Sequence, residues 1–123
     1  MPPRRILTNT ILLTAALVVS LVVYEVLRGP RSMFFGFDRC MQRHYEDIAI
    51  GSAKKTSIEI LGSSWSKSDT FNLPQRHGFE QYFEAAERST AVEYLLWVNG
   101  GNWYYCIGFD ASGTAVVKGE GNS

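Results

Sequence analysis

An uncharged run of nineteen residues near the amino terminus, Ile6 to Tyr24, constrains this chain more than any other feature. As one helix rising about 1.5 Å per residue it reaches about 28 Å, close to the roughly 30 Å of a bilayer's hydrocarbon core. Apolar side chains cover every face of such a helix instead of one stripe, which argues against a helix packed on a small soluble core. The run therefore predicts a segment that anchors the chain in a membrane or directs it through one.

Two interpretations of this leader, residues 1–28, stay open. Arg4 and Arg5 supply the basic start of a secretory signal peptide, and Val18-Val19-Ser20 offers a poor cleavage site. The apolar run continues past that site, beyond the length of about 7–15 residues that is usual for a signal peptide, which favours an uncleaved signal anchor. We therefore expect a single-pass protein of the cell membrane, with secretion after cleavage as the alternative.

The orientation of the chain depends on a nearly balanced charge pattern. Arg4 and Arg5 precede the apolar run, and Arg28 and Arg31 follow it. The positive charge is therefore nearly equal on the two sides, and the positive-inside rule gives only a weak preference. The amino-terminal pair favours export of the C-terminal part. Gly29-Pro30 should end the helix, because proline lacks the backbone donor. We interpret residues 29–36 as a juxtamembrane linker.

The remainder of the chain is enough for one small domain, which we place at residues 37–118, with a frayed tail at 119–123. From residue 33 onward there are eight Lys and Arg and eleven Asp and Glu, a balance of 8 − 11 = −3, with no basic stripe. Nucleic-acid binding depends on clustered cations, so no nucleic-acid partner is expected.

Cys40 and Cys106 are the only cysteines in the sequence. In a small exported domain, two distant cysteines are most simply interpreted as one disulfide, here joining an early helix to a late strand. The other interpretation is two buried free thiols that pack as small apolar side chains.

The sequence predicts an α+β domain in which two or three short helices pack on a three-stranded antiparallel meander. Apolar residues at helical spacing indicate a helix from Phe37 to Ile48, with Cys40 on its buried face. A second helix starts after Gly51-Ser52, buries Ile58 and Leu61 and stops at Gly62. Ser63 to Gly78 is predicted to be a loop whose Trp65, Phe71 and Leu73 fold back onto the body. The stretch from Phe79 suits a short helix, with a strand as the alternative.

Three β-prone runs follow, at 92–98, 103–109 and 114–118. On the middle strand, alternation sends Trp103, Tyr105, Ile107 and Phe109 to one face and Tyr104, Cys106 and Gly108 to the other. The first, all-large set is the expected floor for the helices. Trp97 and Tyr104 are predicted to leave that main core face, which makes them candidates for a partner-binding surface.

This order of elements resembles the small domain of the SmpA/OmlA family over about residues 44–118. The motifs that carry the resemblance are Gly51-Ser52 before the second helix, Ile58-x-x-Leu61-Gly62 at its end, and Phe109-Asp110-x-x-Gly113 after the aromatic strand. The resemblance implies a helix-helix-sheet sandwich, similar to the β-lactamase-inhibitor fold, that is extracytoplasmic and supports an envelope assembly by surface contacts. The chain departs from the family's lipoproteins because no cysteine directly follows its apolar segment.

We therefore predict a membrane-anchored, non-catalytic interaction or envelope-assembly module with a protein partner and with no cofactor or resident metal. The alternative is a small metal-binding protein or enzyme that uses Cys40, His44, His77 and Cys106, since two cysteines and two histidines can form a tetrahedral zinc site. Glu80, Glu84 and Glu87 share a helical face, and paired carboxylates can act as acid and base in glycoside hydrolysis. A stripe of solvated side chains is the simpler interpretation.

Overall fold

The structure, a computed structural model, describes residues 2–27 and 36–122. Its helices are α1 (Pro2–Leu27), α2 (Arg39–Asp47), α3 (Lys54–Leu61) and α4 (Glu80–Glu87). Its strands are β1 (Ser66–Ser68), β2 (Glu93–Asn99), β3 (Trp103–Phe109) and β4 (Ala115–Asn122). The predicted linker 29–36 lies outside the described residues except for Gly36. The predicted α+β class, with an N-terminal apolar helix, is confirmed.

Helix α1 is apolar on all sides, as its sequence predicts. Within it, Arg4–Tyr24 is long and apolar enough to cross a membrane, and none of this segment is buried against the rest of the described chain. The hydroxyls of Thr8, Thr10, Thr14 and Ser20 each donate to the carbonyl four residues earlier, at 2.8–2.9 Å. These hydroxyl donors are therefore satisfied inside the helix.

The sheet is antiparallel throughout, with its four strands in the order β1-β2-β3-β4. The three strands predicted as a meander are β2, β3 and β4. The additional strand β1 lies inside the stretch predicted to be a loop, where Ser66, Lys67 and Ser68 pair with Leu96, Leu95 and Tyr94. The prediction of three strands is thus wrong by one short edge strand.

Both faces of the sheet are covered by the chain itself. Helices α2 and α3 cover one face, which we call the α2 face; its buried residues include Tyr45, Leu95, Trp97, Tyr105, Ile107 and Phe109. The stretch from Phe71 to α4 covers the opposite face, the α4 face, where Leu73, Ala86, Tyr94, Leu96, Cys106 and Val117 are buried. The predicted alternation along β3 is confirmed, and so is the helical interpretation of α4.

Strand β4 continues to Asn122, so the prediction of a frayed tail after Lys118 is wrong. Gly119 and Gly121 lie under side chains of the α4 layer: a Cβ at Gly119 would stand 2.8 Å from Cβ of Tyr82, and one at Gly121 would stand 3.2 Å from Cγ of Phe79. These glycines let the aromatic rings pack directly on the strand backbone. The glycines of this segment predict a flexible tail, because the sequence alone does not distinguish a glycine packed under an aromatic ring from a glycine in a loop.

Helix α2 begins two residues later than predicted, because Asp38 caps it. The Asp38 carboxylate accepts hydrogen bonds from the backbone N–H groups of Cys40 at 2.8 Å and Met41 at 3.3 Å. On this helix Gln42 lies in the buried stripe with Tyr45, at a spacing of three, whereas Cys40 is on the exposed side, so the prediction for Cys40 is wrong. The Lys118 ammonium lies 4.7 Å from the Tyr45 ring centroid and donates to the carbonyls of Tyr45 and Glu46 at the far end of α2.

Helix α3 ends where predicted, at Gly62, whose φ of 84° is in the region that favours glycine. Its buried position is Ser57, whereas Ile58 is 38% exposed. Ser52 does not cap the helix, because its hydroxyl donates to the Ala49 carbonyl and Ala53 is the residue at the cap position. The backbone around Ser52 instead bonds to β4, through Gly51 N–H to the Ala115 carbonyl and Ala115 N–H to the Ser52 carbonyl.

Candidate functional site

The two aromatic residues predicted to bind a partner lie in different environments. Trp97 is 1% exposed and packs on the α2 face, and its indole N–H donates to the Gly62 carbonyl at 3.0 Å. The expectation that Trp97 leaves the main core face is therefore wrong. Tyr104 is half-buried on the opposite face, as its alternation predicts.

Tyr104 contacts an aromatic side chain that the sequence placed elsewhere. Its ring is 6.5 Å from that of Trp65, in an edge-on arrangement, and Trp65 is 69% exposed. The backbone N–H of Trp65 donates to the Leu96 carbonyl at 2.7 Å, just before β1 begins. Trp65 is thus held by the sheet while its side chain faces solvent, and the expectation that it folds back onto the body is wrong. We call Trp65 and Tyr104 the aromatic corner.

The aromatic corner lies at the same end of the sheet as the point where the chain enters the domain. At that point, Asp38 N–H donates to Oδ1 of Asn99 at 2.7 Å, and Nδ2 of Asn99 donates to the Asp38 carbonyl at 2.8 Å. Asn99 is the last residue of β2, directly before the turn 100–102, and Tyr104 is the second residue of β3. We call this edge of the sheet the hairpin end; the turn 110–113 marks the opposite end.

An open cleft of about 450 Å³ lies on the α4 face, between the chain that follows β1, helix α4 and β2. Phe71, Phe83, Ala86, Ala91 and Tyr94 form its apolar part, and the Phe71 ring meets those of Phe83 and Tyr94 edge-on at 4.9 and 5.9 Å. Its polar lining consists of Asp69, Thr70, Arg76, Glu87 and Ser89. We call this feature the α4 cleft. Its volume is in the range of ligand and peptide sites, about 300–1,000 Å³.

Arg76 bridges the polar and apolar parts of the α4 cleft. Its guanidinium carbon lies 4.9 Å from the Phe83 ring centroid, and a guanidinium nitrogen lies 3.6 Å from a carboxylate oxygen of Glu87. Both charged side chains are more than half exposed, so this ion pair contributes little to folding stability. Arg76 can therefore change partners at low cost when a ligand occupies the cleft.

The acidic residues of α4 do not form a catalytic arrangement. Glu80, Glu84 and Glu87 are all exposed. Hydrogen bonds from the backbone N–H groups at the start of α4 lower the pKa of Glu80, which is the opposite of what a general acid near neutral pH needs. These side chains form the solvated stripe that the sequence also suggested.

Of the four residues of the alternative metal site, Cys40 and His44 are both exposed on α2, and the other two lie elsewhere in the fold. Cys106 is fully buried on the α4 face, whereas Cys40 is exposed on α2, which packs against the other face. His77 is 95% exposed, with Nδ1 3.6 Å from a Glu80 oxygen. In the part of the chain that the structure describes, no three His, Cys, Asp or Glu side chains come together as metal ligands. Among the described residues, these four side chains therefore do not form the predicted tetrahedral zinc site.

The same placement of the cysteines contradicts the predicted disulfide. Both are free thiols, and the sheet stands between the layer that carries Cys40 and the face that buries Cys106. Burial also raises the pKa of the Cys106 thiol to about 11. The alternative prediction of two buried free thiols is correct for Cys106, which packs in the core as a small apolar side chain. It is wrong for Cys40, which is exposed.

Comparison of the chain with protein-family models, with curated proteins and with solved structures finds no match.

Proposed function

We propose that this chain is a single-pass membrane protein whose exported α+β domain is a non-catalytic interaction module. The supporting observation is α1, on which fourteen large apolar side chains between Ile6 and Leu27 are at least 43% exposed. Covering such side chains is worth about 1.5–3 kcal/mol each, so together they represent on the order of 20 kcal/mol. That exceeds the 5–15 kcal/mol that is typical for the stability of a whole domain, which supports a lipid environment for α1.

We infer that the domain acts by surface contact with a protein partner. Its sheet is covered on both faces, and the charged side chains that the sequence suggested for chemistry are dispersed or solvated. The α4 cleft offers a partner an apolar lining with Arg76 and Glu87 at its polar side, which is the composition of a docking site for a protein segment. The resemblance to the SmpA/OmlA family is in keeping with such a role and stays a prediction.

The anchor is tested by the mass and the fractionation of the full chain expressed in cells. We expect an intact residue 1 and a chain that stays with the membrane pellet after carbonate washing. The domain should be digested by a protease added outside the membrane, because it is proposed to be exported. A chain that begins near Ser20 and is found in the medium would establish the cleaved alternative; an intact chain in the cytosol would exclude both.

The α4 cleft is tested by photocrosslinking in intact cells from position 70, at the exposed Thr70 of its lining. We expect a discrete crosslinked protein that can be identified by mass spectrometry and that is lost when Arg76→Glu is added. The matched control is Lys55, which is 86% exposed on α3 on the other face of the sheet. Equal capture from positions 70 and 55, or capture unaffected by Arg76→Glu, would reject the cleft as the docking site.

A further inference from the structure

We propose that the aromatic corner at the hairpin end is a membrane-contact surface, on which Trp65 and Tyr104 lie among the phospholipid headgroups of the bilayer that holds α1. This inference rests on the proposed membrane anchor. It means that the hairpin end of the domain faces the bilayer. The aromatic corner would bind lipid, whereas the α4 cleft is proposed to bind protein.

The first argument is the distance along the chain between α1 and the domain. Eight residues, 28–35, separate Leu27 from Gly36, and a chain of that length spans about 30 Å at most when fully extended. Asp38, two residues further, is fixed to Asn99 at the hairpin end by both of its backbone groups. The hairpin end is therefore the part of the domain attached most directly to the bilayer.

The second argument is the length of the sheet. Strand β3 has seven residues, which at about 3.3 Å each separate the hairpin end from the turn 110–113 by about 20 Å. If that opposite end faced the bilayer, the linker would have to pass the whole length of the sheet, which would take at least two thirds of its maximum span. The conformational entropy of the chain disfavours such extension, so the hairpin end should face the lipid.

The third argument is the chemistry of the surface. Trp65 is 69% exposed although its backbone is bonded into the sheet, and the ring of Tyr104 beside it is half-buried. Tryptophan and tyrosine combine an apolar ring with one polar group, and they are enriched at the headgroup level of membranes. Trp65 is exposed, and its backbone is held at the end of the domain to which the linker attaches. For such a side chain a lipid interface is a more favourable environment than water.

Depth measurements on the full chain in phosphatidylcholine vesicles test this proposal. A nitroxide label is attached at Trp65→Cys or, as the control at the opposite end, at Ser112→Cys, each in a Cys40→Ser background; Cys106 is fully buried in the native protein. We expect collisions with a water-soluble nickel chelate to be several-fold fewer at position 65 than at 112, and collisions with oxygen to be more frequent. Equal accessibility to the chelate at both positions would overturn the proposal.

A third label separates this proposal from the anchor on which it rests. At Val19→Cys, inside the apolar span Arg4–Tyr24 of α1, a label exposed to oxygen and not to the chelate shows that the helix is inserted. If position 19 is inserted while position 65 is in water, only the membrane-contact surface is rejected. If position 19 is itself in water, the anchor fails as well. A label at 65 that is shielded from both reagents would indicate protein, from a partner or a second copy, and would also overturn the proposal.

A measurement on the native side chain avoids the label. Lipids brominated near the carbonyl region quench the fluorescence of tryptophan at that depth, and we expect Trp65→Phe to remove most of the quenching seen with the wild-type chain. Trp97, which is 1% exposed, and the half-buried Trp103 remain in both chains as a common background. Quenching that is unchanged in the Trp65→Phe variant would contradict the proposal.

Discussion

The hydroxyl of Tyr105 lies at the centre of a buried polar network that joins the start of α2 to the β2–β3 hairpin. It donates to Oε1 of Gln42 at 2.6 Å and accepts from Nδ2 of Asn99 at 2.9 Å. The Tyr105 ring stacks on the Tyr45 ring, and the two ring centroids are 4.5 Å apart. Each of these polar groups depends on the others, because all of them are removed from water.

Removing that hydroxyl should destabilise the domain although almost no volume is lost. Tyr105→Phe leaves Oε1 of Gln42 without its donor and takes from Nδ2 of Asn99 one of its two acceptors, and we expect the free energy of unfolding to fall by about 1–3 kcal/mol. Urea denaturation of the full chain in detergent, followed by circular dichroism, measures the change. The adjacent Tyr104→Phe is the control and should change stability by less than about 0.5 kcal/mol. Equal losses in the two variants would contradict this account of the network.

The two cysteines should differ sharply in reactivity. Cys40 is exposed, whereas Cys106 is fully buried and has a raised pKa, and the thiolate is the reactive form. We expect a thiol reagent at pH 8 to modify one thiol per native chain and two per denatured chain without reductant. Cys40→Ser should abolish the fast reaction. No thiol in the denatured, unreduced chain would restore the predicted disulfide.

At the scale of elements, the salt bridge between Lys54 and Glu93 connects α3 to β2. The ammonium nitrogen is 2.6 Å from a Glu93 oxygen, and Lys67 of β1 approaches the same oxygen at 3.4 Å. The hydrogen bond from Lys54, aided by Lys67, lowers the pKa of Glu93 below its usual 4.5. One carboxylate thus joins three elements at the end of the sheet opposite the hairpin end.

The contribution of Glu93 to stability should depend on pH. A pKa lowered by folding adds stability that is complete above the unfolded value, near 4.5, and is lost as pH falls through the folded value. At pH 7 we expect Glu93→Gln to reduce the free energy of unfolding by about 0.5–1 kcal/mol. The difference from wild type should shrink as pH falls through the lowered pKa of Glu93 and vanish once the Glu93 carboxyl is protonated in both the folded and the unfolded chain. A difference that persists unchanged at acid pH would show that packing, not charge, is lost.

Glycine in β4 should be required by packing. In Gly119→Ala the new Cβ would meet Tyr82 at 2.8 Å and Phe71 at 2.9 Å, and we expect a loss of about 1–3 kcal/mol. Gly121→Ala is the graded control, because its nearest contacts are 3.2–3.3 Å and its loss should be smaller. Thermal unfolding of both variants measures the order. A Gly119→Ala variant as stable as wild type would mean that residues 119–122 do not hold the strand position described.

The sequence predicts some elements well and others poorly, for identifiable physical reasons. Strong alternation in β3 and the glycine at the end of α3 are local signals, and both are confirmed. Strand β1 is three polar residues whose pairing depends on a distant partner, β2, so no local pattern indicates it. The sequence does carry a signal for the burial of Trp97, because five successive apolar residues, Tyr94 to Val98, are typical of a strand covered on both faces.

For the whole molecule, the sequence indicates the division into an apolar leader and one small α+β domain, but not the closed two-sided packing of that domain. A meander with helices on one side has one free face, and Trp97 and Tyr104 are predicted as surface residues on that face. The α4 layer removes that free face and leaves an edge contact, the aromatic corner, and an open depression, the α4 cleft. Both features combine residues far apart in the chain, so neither could be predicted from spacing.

The double hydrogen bond between the Asp38 backbone and the Asn99 side chain also determines how the domain bears mechanical load. Tension on the polypeptide leading from α1 reaches this clamp before it reaches the first turn of α2. The clamp passes the force to the end of β2, which pairs with β1 on one side and β3 on the other. Force that enters at β2 is shared with its two neighbouring strands and does not act on the first turn of α2 alone.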